Sequence, residues 1–409
     1  MFKPALSSRL VWSTLLTLQL SAALASTEPL KGELQLNGSS SGPYENSFLY
    51  PDRTSISNRS ASLRLIEGFS EGPWSGTVHY LASLRHGDSV SVSNPYSQQE
   101  TLPWFDLDNT LSSTTNEKSE HRLDRVLLSY SGDNSIFRLG RQSLTWGNGR
   151  VFRPADLFNP FAPNSTDTRY KPGVDMLYVQ HLLAQGDDIE LVVIPRRSTE
   201  SNAIDSDLSS VAVQWHGYGD ILETTTMLAR DYLDTTLALG LVGPIGEAIW
   251  RIDLVTTISE LDTTYTSLVA NIEHAWRWGE SVVTGFAEYF HSGLGLKDYS
   301  LIFDPSEPLL SKMGRGQLFT LGQDYISAGL NTSLTPLLSI GSLGLFNLAD
   351  SSGMASLSAE YSIHENGLFS LGIDIPFGSD NTEYGGLEIL PNQFLGPAPT
   401  LRGSLIWHF

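Results

Sequence analysis

The chain has 409 residues, no cysteine, 36 glycines, 20 prolines, 17% charged residues and a formal net charge of −20. Without cysteine there is no disulfide scaffold, thiol catalyst, cysteine-ligated zinc site or iron–sulfur cluster, and the acidic balance argues against nucleic acid as a partner, since its binders carry a basic patch. At 40% hydrophobic residues the chain is not disordered, and a mean hydropathy near zero without a polytopic pattern excludes a helical membrane protein.

In chain order, Lys3 and Arg9 form a short basic region before a mostly apolar run from Leu10 to Leu20, followed by Ala23, Leu24 and Ala25. This pattern predicts a secretory signal peptide over 1–25, cleaved after Ala25, with 26–409 as the mature chain. A membrane anchor would need a longer run, and a polar segment follows directly. Beyond residue 25 stand 23 Lys and Arg against 45 Asp and Glu. An exported acidic chain without cysteine suits a bacterial envelope protein.

Period-two alternation then runs through the remainder. Trp250, Ile252 and Leu254 alternate with Arg251 and Asp253; Leu357, Ala359 and Tyr361 with Ser358 and Glu360; Phe369, Leu371 and Ile373 with Ser370; and Leu401, Leu405, Trp407 and Phe409 with Arg402, Ser404 and His408. Side chains alternate across a strand, so each segment has one apolar and one polar face. No helical stretch is predicted among them. A soluble sandwich would turn the apolar faces inward, and an outer-membrane barrel would turn them to lipid around a wet lumen. Segments of about 9–12 residues suit tilted membrane strands better than soluble ones, which average nearer 5–6.

The connectors discriminate between the two. About 18 segments are centred near residues 34, 64, 79, 126, 140, 179, 192, 213, 225, 238, 252, 270, 286, 329, 343, 359, 372 and 405. Gaps after even-numbered segments are tight, such as 132–134, 278–280 and 365–366. The long gaps all follow odd-numbered ones: 39–59, 85–120, 146–173, 197–208, 292–323 and 378–399. Short periplasmic turns alternating with long outer loops mark a transmembrane barrel, whereas a sandwich has no reason to sort its loops by parity. Aromatics near strand ends (Trp74, Trp215, Tyr218, Trp276, Trp278, Tyr289, Phe290 and Trp407) fit interfacial girdles. The expected fold is an all-β, antiparallel up-and-down barrel of 18 strands, with 16 as the fallback. Barrels of that size leave an aqueous channel.

The last strand, ending in Trp407 and Phe409, resembles the C-terminal signature of bacterial outer-membrane barrels. That resemblance implies recognition by the barrel-assembly machinery. The stretch from Arg138 to Pro163 is similar to the Gly-Arg-Gln…Trp-Gly segment of porin-like outer-membrane proteins, including the alginate-export and substrate-specific porin groups. The matching positions are Gly140, Arg141, Gln142, Trp146 and Gly147, then Pro154, Asp156 and Pro160. The resemblance implies that loop 146–173 is the third outer loop, which commonly folds inward and narrows the channel. Its glycines, prolines and four large aromatics (Trp146, Phe152, Phe158 and Phe161) suit an ordered loop. The alternative is a loop lying across the mouth or against a neighbouring subunit.

Six of the basic residues fall within 34 positions: Arg138, Arg141, Arg150, Arg153, Arg169 and Lys171. Facing acids on polar strand faces (Glu190, Asp253, Glu273, Glu288, Glu360 and Asp374), such a patch would orient dipolar solutes and screen ions by sign. Arg138, Gln142, Arg150, Arg153, Asp156, Arg169 and Lys171 are therefore the candidate constriction and solute-binding residues. Arg138 shares lumen parity with Gln142, while Arg141 falls on the apolar parity and belongs past the membrane zone or at a bulge. The plainer reading pairs Arg150 or Arg153 with nearby acids or with lipopolysaccharide phosphates.

Catalysis is not expected. His291 and Ser292 are adjacent in a strand and point to opposite faces, which a Ser–His nucleophile cannot tolerate. His216 and His274 lack metal-ligand spacing, the acids Asp106, Asp108, Asp205 and Asp207 read as solvated loop residues, and no cofactor is implied. The expected function is passive or mildly selective diffusion of small hydrophilic solutes, tilted toward those carrying an anionic group, with lipid and lipopolysaccharide as surroundings. An export conduit for a secreted polymer such as a polysaccharide is the alternative, and a plugged structural or surface-binding barrel is a third reading. A homo-oligomer is compatible with the pattern, because a lipid-facing strip reads like a subunit-facing one.

Overall fold

The computed structural model describes residues 30–43, 46–51, 53–90, 92, 101–163, 169–260, 263–299 and 305–409. The signal peptide expected over 1–25 lies outside them. Six strands open the chain: β1 (Lys31–Ser41), β2 (Ile56–Glu71), β3 (Trp74–Gly87), β4 (Glu117–Ser131), β5 (Ser135–Gln142) and β6 (Val174–Leu182). Next come β7 (Asp188–Ser198), β8 (Ile204–Tyr218), β9 (Glu223–Asp231), β10 (Asp234–Ile245), β11 (Ala248–Ile258) and β12 (Thr264–Trp278). The last six are β13 (Ser281–Ser292), β14 (Asp324–Thr335), β15 (Leu338–Asn347), β16 (Gly353–His364), β17 (Gly367–Phe377) and β18 (Thr400–His408).

Each strand pairs antiparallel with its neighbours in sequence, and β18 pairs with β1 from Ser41↔Thr400 to Glu33↔His408. The result is a closed 18-strand barrel with no free edge. All 18 expected segment centres fall inside these strands. Phe409 locks the seam: its amide donates to the Gly32 carbonyl at 3.0 Å, and its carbonyl accepts from the Gly32 amide at 2.8 Å. A Cβ at Gly32 would lie 2.4 Å from the Phe409 ring, so the glycine makes room for it.

Alternation sorts the faces as the sequence pattern requires. Leu357, Phe369, Leu371, Ile373, Leu401 and Trp407 are exposed on the outer wall, while Ser358, Ser370, Arg402 and Ser404 turn to the lumen cavity. Among the described residues no helix is long and apolar enough to cross a membrane. In a chain whose strands must satisfy every backbone group without water, closure is what makes this apolar exterior tolerable.

Three details differ from expectation. The gap expected at 197–208 shrinks to 199–203, because β7 and β8 run on past the apolar belt with a bulge between Asp205 and Ser210. The 293–323 connector carries a helix, α1 (Glu307–Gly314), started by Pro308. Lastly, β5 and β6 are short, and the 88–116 connector repairs the wall above them. Its segment 108–113 pairs with β4, and its segment 101–103 pairs with β7.

Arg141 holds that repair in place. It pairs with Asp175 at 2.7 Å and Asp108 at 2.9 Å, and donates to the Phe105 carbonyl at 2.9 Å. Gly140 makes this geometry available: its φ is +127°, and a Cβ there would sit 1.9 Å from the Val126 carbonyl oxygen. The apolar parity of Arg141 is thus resolved by a backbone irregularity at the top of β5, where the side chain is buried by a loop instead of meeting lipid.

Two substitutions at one height test the face assignment. Leu357→Arg is expected to cost about 2–4 kcal/mol, as a charge at the lipid midplane does, whereas Ser358→Arg, facing water, stays within about 1 kcal/mol. Urea unfolding in lipid vesicles measures both.

Candidate functional site

The 143–173 segment leaves β5 and crosses to the far wall through its own backbone. Asn148 donates to Asp253 of β11 from its amide at 2.6 Å and from Nδ2 at 2.7 Å. The amides of Arg150, Val151 and Phe152 all converge on Glu288 of β13, at 2.5, 3.0 and 2.9 Å. Asn271 of β12 completes the cradle, donating to Glu288 at 3.1 Å and to the Asn148 carbonyl at 3.3 Å. Trp146 Nε1 donates to Glu190 of β7 at 2.7 Å. Four of the acids that the alternation placed on lumen faces, Glu190, Asp253, Glu273 and Glu288, therefore receive this segment. Backbone N–H groups, more than arginine side chains, meet them.

Apolar packing fixes the segment on two sides. Trp146, Leu157 and Phe158 bury against Met176, Tyr178, Val192, Ile194, Ala212, Met227 and Ala229, the inner faces of β6 to β9. Phe152 stacks on Phe290 with ring centroids 4.2 Å apart, beside Tyr325 and Val269. Burying each large side chain contributes about 1.5–3 kcal/mol, so the segment carries a small core of its own inside the barrel. From outside, Gln317 after α1 donates to the Leu157 carbonyl at 2.8 Å and to Asp231 at 2.6 Å, and Lys312 pairs with Asp234 at 3.0 Å.

One side of the lumen remains open. A cavity of about 840 Å³ lies between the segment and the walls of β1 to β3 and β13 to β18. Uncharged polar residues dominate its lining, together with Arg59, Arg85, Arg150, Arg169, Arg402 and the single acid Glu360. Four of these five arginines have an acidic neighbour: Arg85 has Glu120 at 2.5 Å, Arg150 has Glu273 at 3.1 Å, Arg169 has Glu33 at 3.4 Å, and Arg402 has Asp374. A guanidinium has five donors, so one carboxylate leaves others turned to water.

The seven predicted residues separate into distinct settings. Arg150 and Arg169 line the cavity. Arg138 lies 5.2 Å from the Tyr178 ring centroid, on the β5 side. Gln142 is buried, and its Nε2 has no hydrogen-bond partner among the described residues. Arg153 folds back, donating to the Gly149 carbonyl at 2.8 Å. Asp156 and Lys171 are buried and bonded to each other at 2.6 and 2.7 Å. Their charges are spent within the segment, joining its middle to its end, and do not face the cavity. Arg85 and Arg402 escaped sequence reasoning as cavity residues. Both stand on polar strand parity, yet only closure of β18 on β1 brings them to the same wall.

His291 and Ser292 do point to opposite faces: Ser292 is buried, and His291 pairs with Asp324 on the neighbouring strand at 2.8 Å. Among the described residues no group of His, Asp or Glu is arranged to hold a metal ion.

An 18-strand closed barrel with a loop bonded to the opposite wall is the porin fold. The solved structures it resembles include Pseudomonas aeruginosa OccK11 (OpdR), with a TM-score of 0.54 and 10% identity, covering 93% of this chain and 96% of that one. Pseudomonas aeruginosa OccK8 (OprE) gives 0.51 and 10% over 93% and 97%, and Pseudomonas aeruginosa OpdK with vanillate gives 0.51 and 10% over 93% and 98%. No family model and no curated protein matches the sequence.

Burial raises the Asp156 carboxyl from 3.8 to about 6 and lowers the Lys171 ammonium; each partner pulls the other back toward its charged form. With a folded value above the unfolded one, Asp156 contributes stability that is full below about pH 4 and lost as pH rises through 6. That value already includes Lys171, which holds the carboxyl below where burial alone would push it. Lys171→Met should therefore loosen the segment at pH 7.5, by about 3–5 kcal/mol for an orphaned buried charge, and recover it below pH 6, where Asp156 is neutral. Limited proteolysis at both pH values reads this. Glu288→Ala strands three amides, at about 1–3 kcal/mol for each buried group left unpaired. It should raise single-channel conductance and noise in planar bilayers.

Proposed function

We propose that the protein is a channel of the bacterial outer membrane, giving passive or mildly selective diffusion to small hydrophilic solutes. The observation that carries this reading is the cavity of about 840 Å³ on one side of the crossing segment, lined by hydroxyls, amides and arginines. The crossing segment acts as the constriction, and Arg150 and Arg169 meet the solute there. With five arginines and one acid on its lining, the cavity tilts selectivity toward solutes with an anionic group, against the charge of the chain as a whole. The porin fold supports the location and the transport role. The likeness of the segment from Gly140 to Gly147 to substrate-specific porins supports some selectivity. An export conduit for a polymer is less well supported, because the segment's apolar core occupies the half of the lumen beside β6 to β9. Residues 1–25 would direct export and be removed, and Trp407 and Phe409 at the seam would present the last strand to the assembly machinery.

Single-channel conductance of the refolded protein, with reversal potential under a salt gradient, tests the proposal. A steady conductance with anion preference is expected. Replacing Arg150, Arg169 and Arg402 by Gln should reduce that preference while leaving the pore open. A barrel that never conducts would sink the reading.

A further inference from the structure

The closing seam of the barrel carries a continuous polar row. Glu360 of β16 pairs with Ser370 of β17, Ser370 with Ser404 of β18, Ser404 with Asn37 of β1, Asn37 with Ser60 of β2, and Ser60 with Arg85 of β3. Five interstrand steps span roughly 24 Å of lumen wall. One step toward the extracellular side, a second row runs Ser358, Gly372, Arg402, Ser39 and Asn58. All of these residues line the open cavity. Gly372 gives Arg402 its place: a Cβ there would meet the guanidinium at 2.8 Å, so the arginine lies across the glycine toward Asp374.

Aromatic side chains are distributed oppositely. Trp146, Phe158, Tyr178, Phe152, Phe290 and Tyr325 all belong to the packed clusters that hold the crossing segment. Among the described residues, Phe286 and His86 are the ring-bearing residues of the open cavity, and Phe286 already faces Arg150 at 5.7 Å. A flat aromatic solute would find little to stack on. A solute rich in hydroxyls would meet donors and acceptors at every strand, several of them uncommitted: the Ser39 and Ser370 hydroxyls make no hydrogen bond within the described chain.

We infer that this wall is a track for polyhydroxylated acids, the sugar-acid class: hydroxyls exchange water for the Ser and Asn row while the carboxylate is received by Arg85 or Arg402. The inference rests on the channel reading above and names its solute class. A zwitterion of amino-acid size does not fit the wall, because Glu360 lies five strands from Arg85 and two strands and two residues from Arg402.

Proteoliposome swelling with sodium gluconate, sodium benzoate and sorbitol, beside chloride conductance on the same preparation, tests this. Gluconate is expected to enter faster than benzoate. The double variant Ser39→Ala/Ser370→Ala should slow gluconate about threefold to tenfold, the worth of one to two hydrogen bonds, and leave benzoate and chloride unchanged. Gly372→Ala, which displaces Arg402, should slow gluconate but not sorbitol. If chloride conducts normally while benzoate matches or exceeds gluconate in the unaltered protein, the track is refuted and the channel stands. Equal slowing of both acids in the double variant also refutes it. If nothing conducts or swells the vesicles, both readings fall together.

Discussion

Three consecutive backbone amides, those of Arg150, Val151 and Phe152, converge on one carboxylate of the far wall, Glu288. Much else follows from that contact. A carboxylate accepting several N–H groups gains charge-assisted bonds that no neutral acceptor matches, and in the confined lumen those bonds hold the chain across a span it would not otherwise cross. Asp253 repeats the device on β11 with the amide and side chain of Asn148. Once the segment is held there, its aromatic residues have one side to bury against. The lumen is then divided into a packed half and an open half.

That division changes the meaning of the chain's acidity. A net charge of −20 suggests a pore hostile to anions, yet several lumen acids are already committed. Glu288 and Asp253 receive the crossing segment, Glu190 receives Trp146, and Glu273, Glu33 and Asp374 pair with cavity arginines. What remains on the open cavity is the outer part of the four paired guanidinium groups, with Arg59 and the one acid Glu360. Selectivity in a narrow passage follows the groups on its lining, since charges beyond a Debye length are screened. The total charge of the protein is a poor guide to the passage.

The wall shows the same economy of function. A barrel must satisfy its backbone groups all the way round, and β5 and β6 fall short of their neighbours. The 88–116 connector supplies the missing strands, and Arg141, exposed to lipid by simple alternation, turns into the joint through the glycine conformation at residue 140. Outside the barrel, Glu383 ties the 378–399 connector to its neighbours, accepting from Leu321 N at 2.8 Å and Asn347 Nδ2 at 2.7 Å. Burial raises that carboxyl, which has hydroxyl and amide donors around it in place of a cation.

The strands were legible because lipid outside and water inside impose an alternation that each strand displays alone. Loop asymmetry added direction, and the Phe409 ending marked the last strand. Local turn chemistry was enough for hairpins such as that between β16 and β17. Three things were not legible from sequence alone: that Asp156 and Lys171 serve each other, that Arg85 and Arg402 share a wall, and that the acids on lumen faces accept backbone amides. Each depends on which strands become neighbours across the lumen or the seam, and pairs such as Asn148 with Asp253 are more than 100 positions apart. By itself the sequence determined strand number, facing and the side on which the long loops lie, because these are written in local periodicity. The occupied half of the lumen, the open half and the residues that line the cavity were decided only by tertiary structure, because closure sets distances that no local pattern encodes.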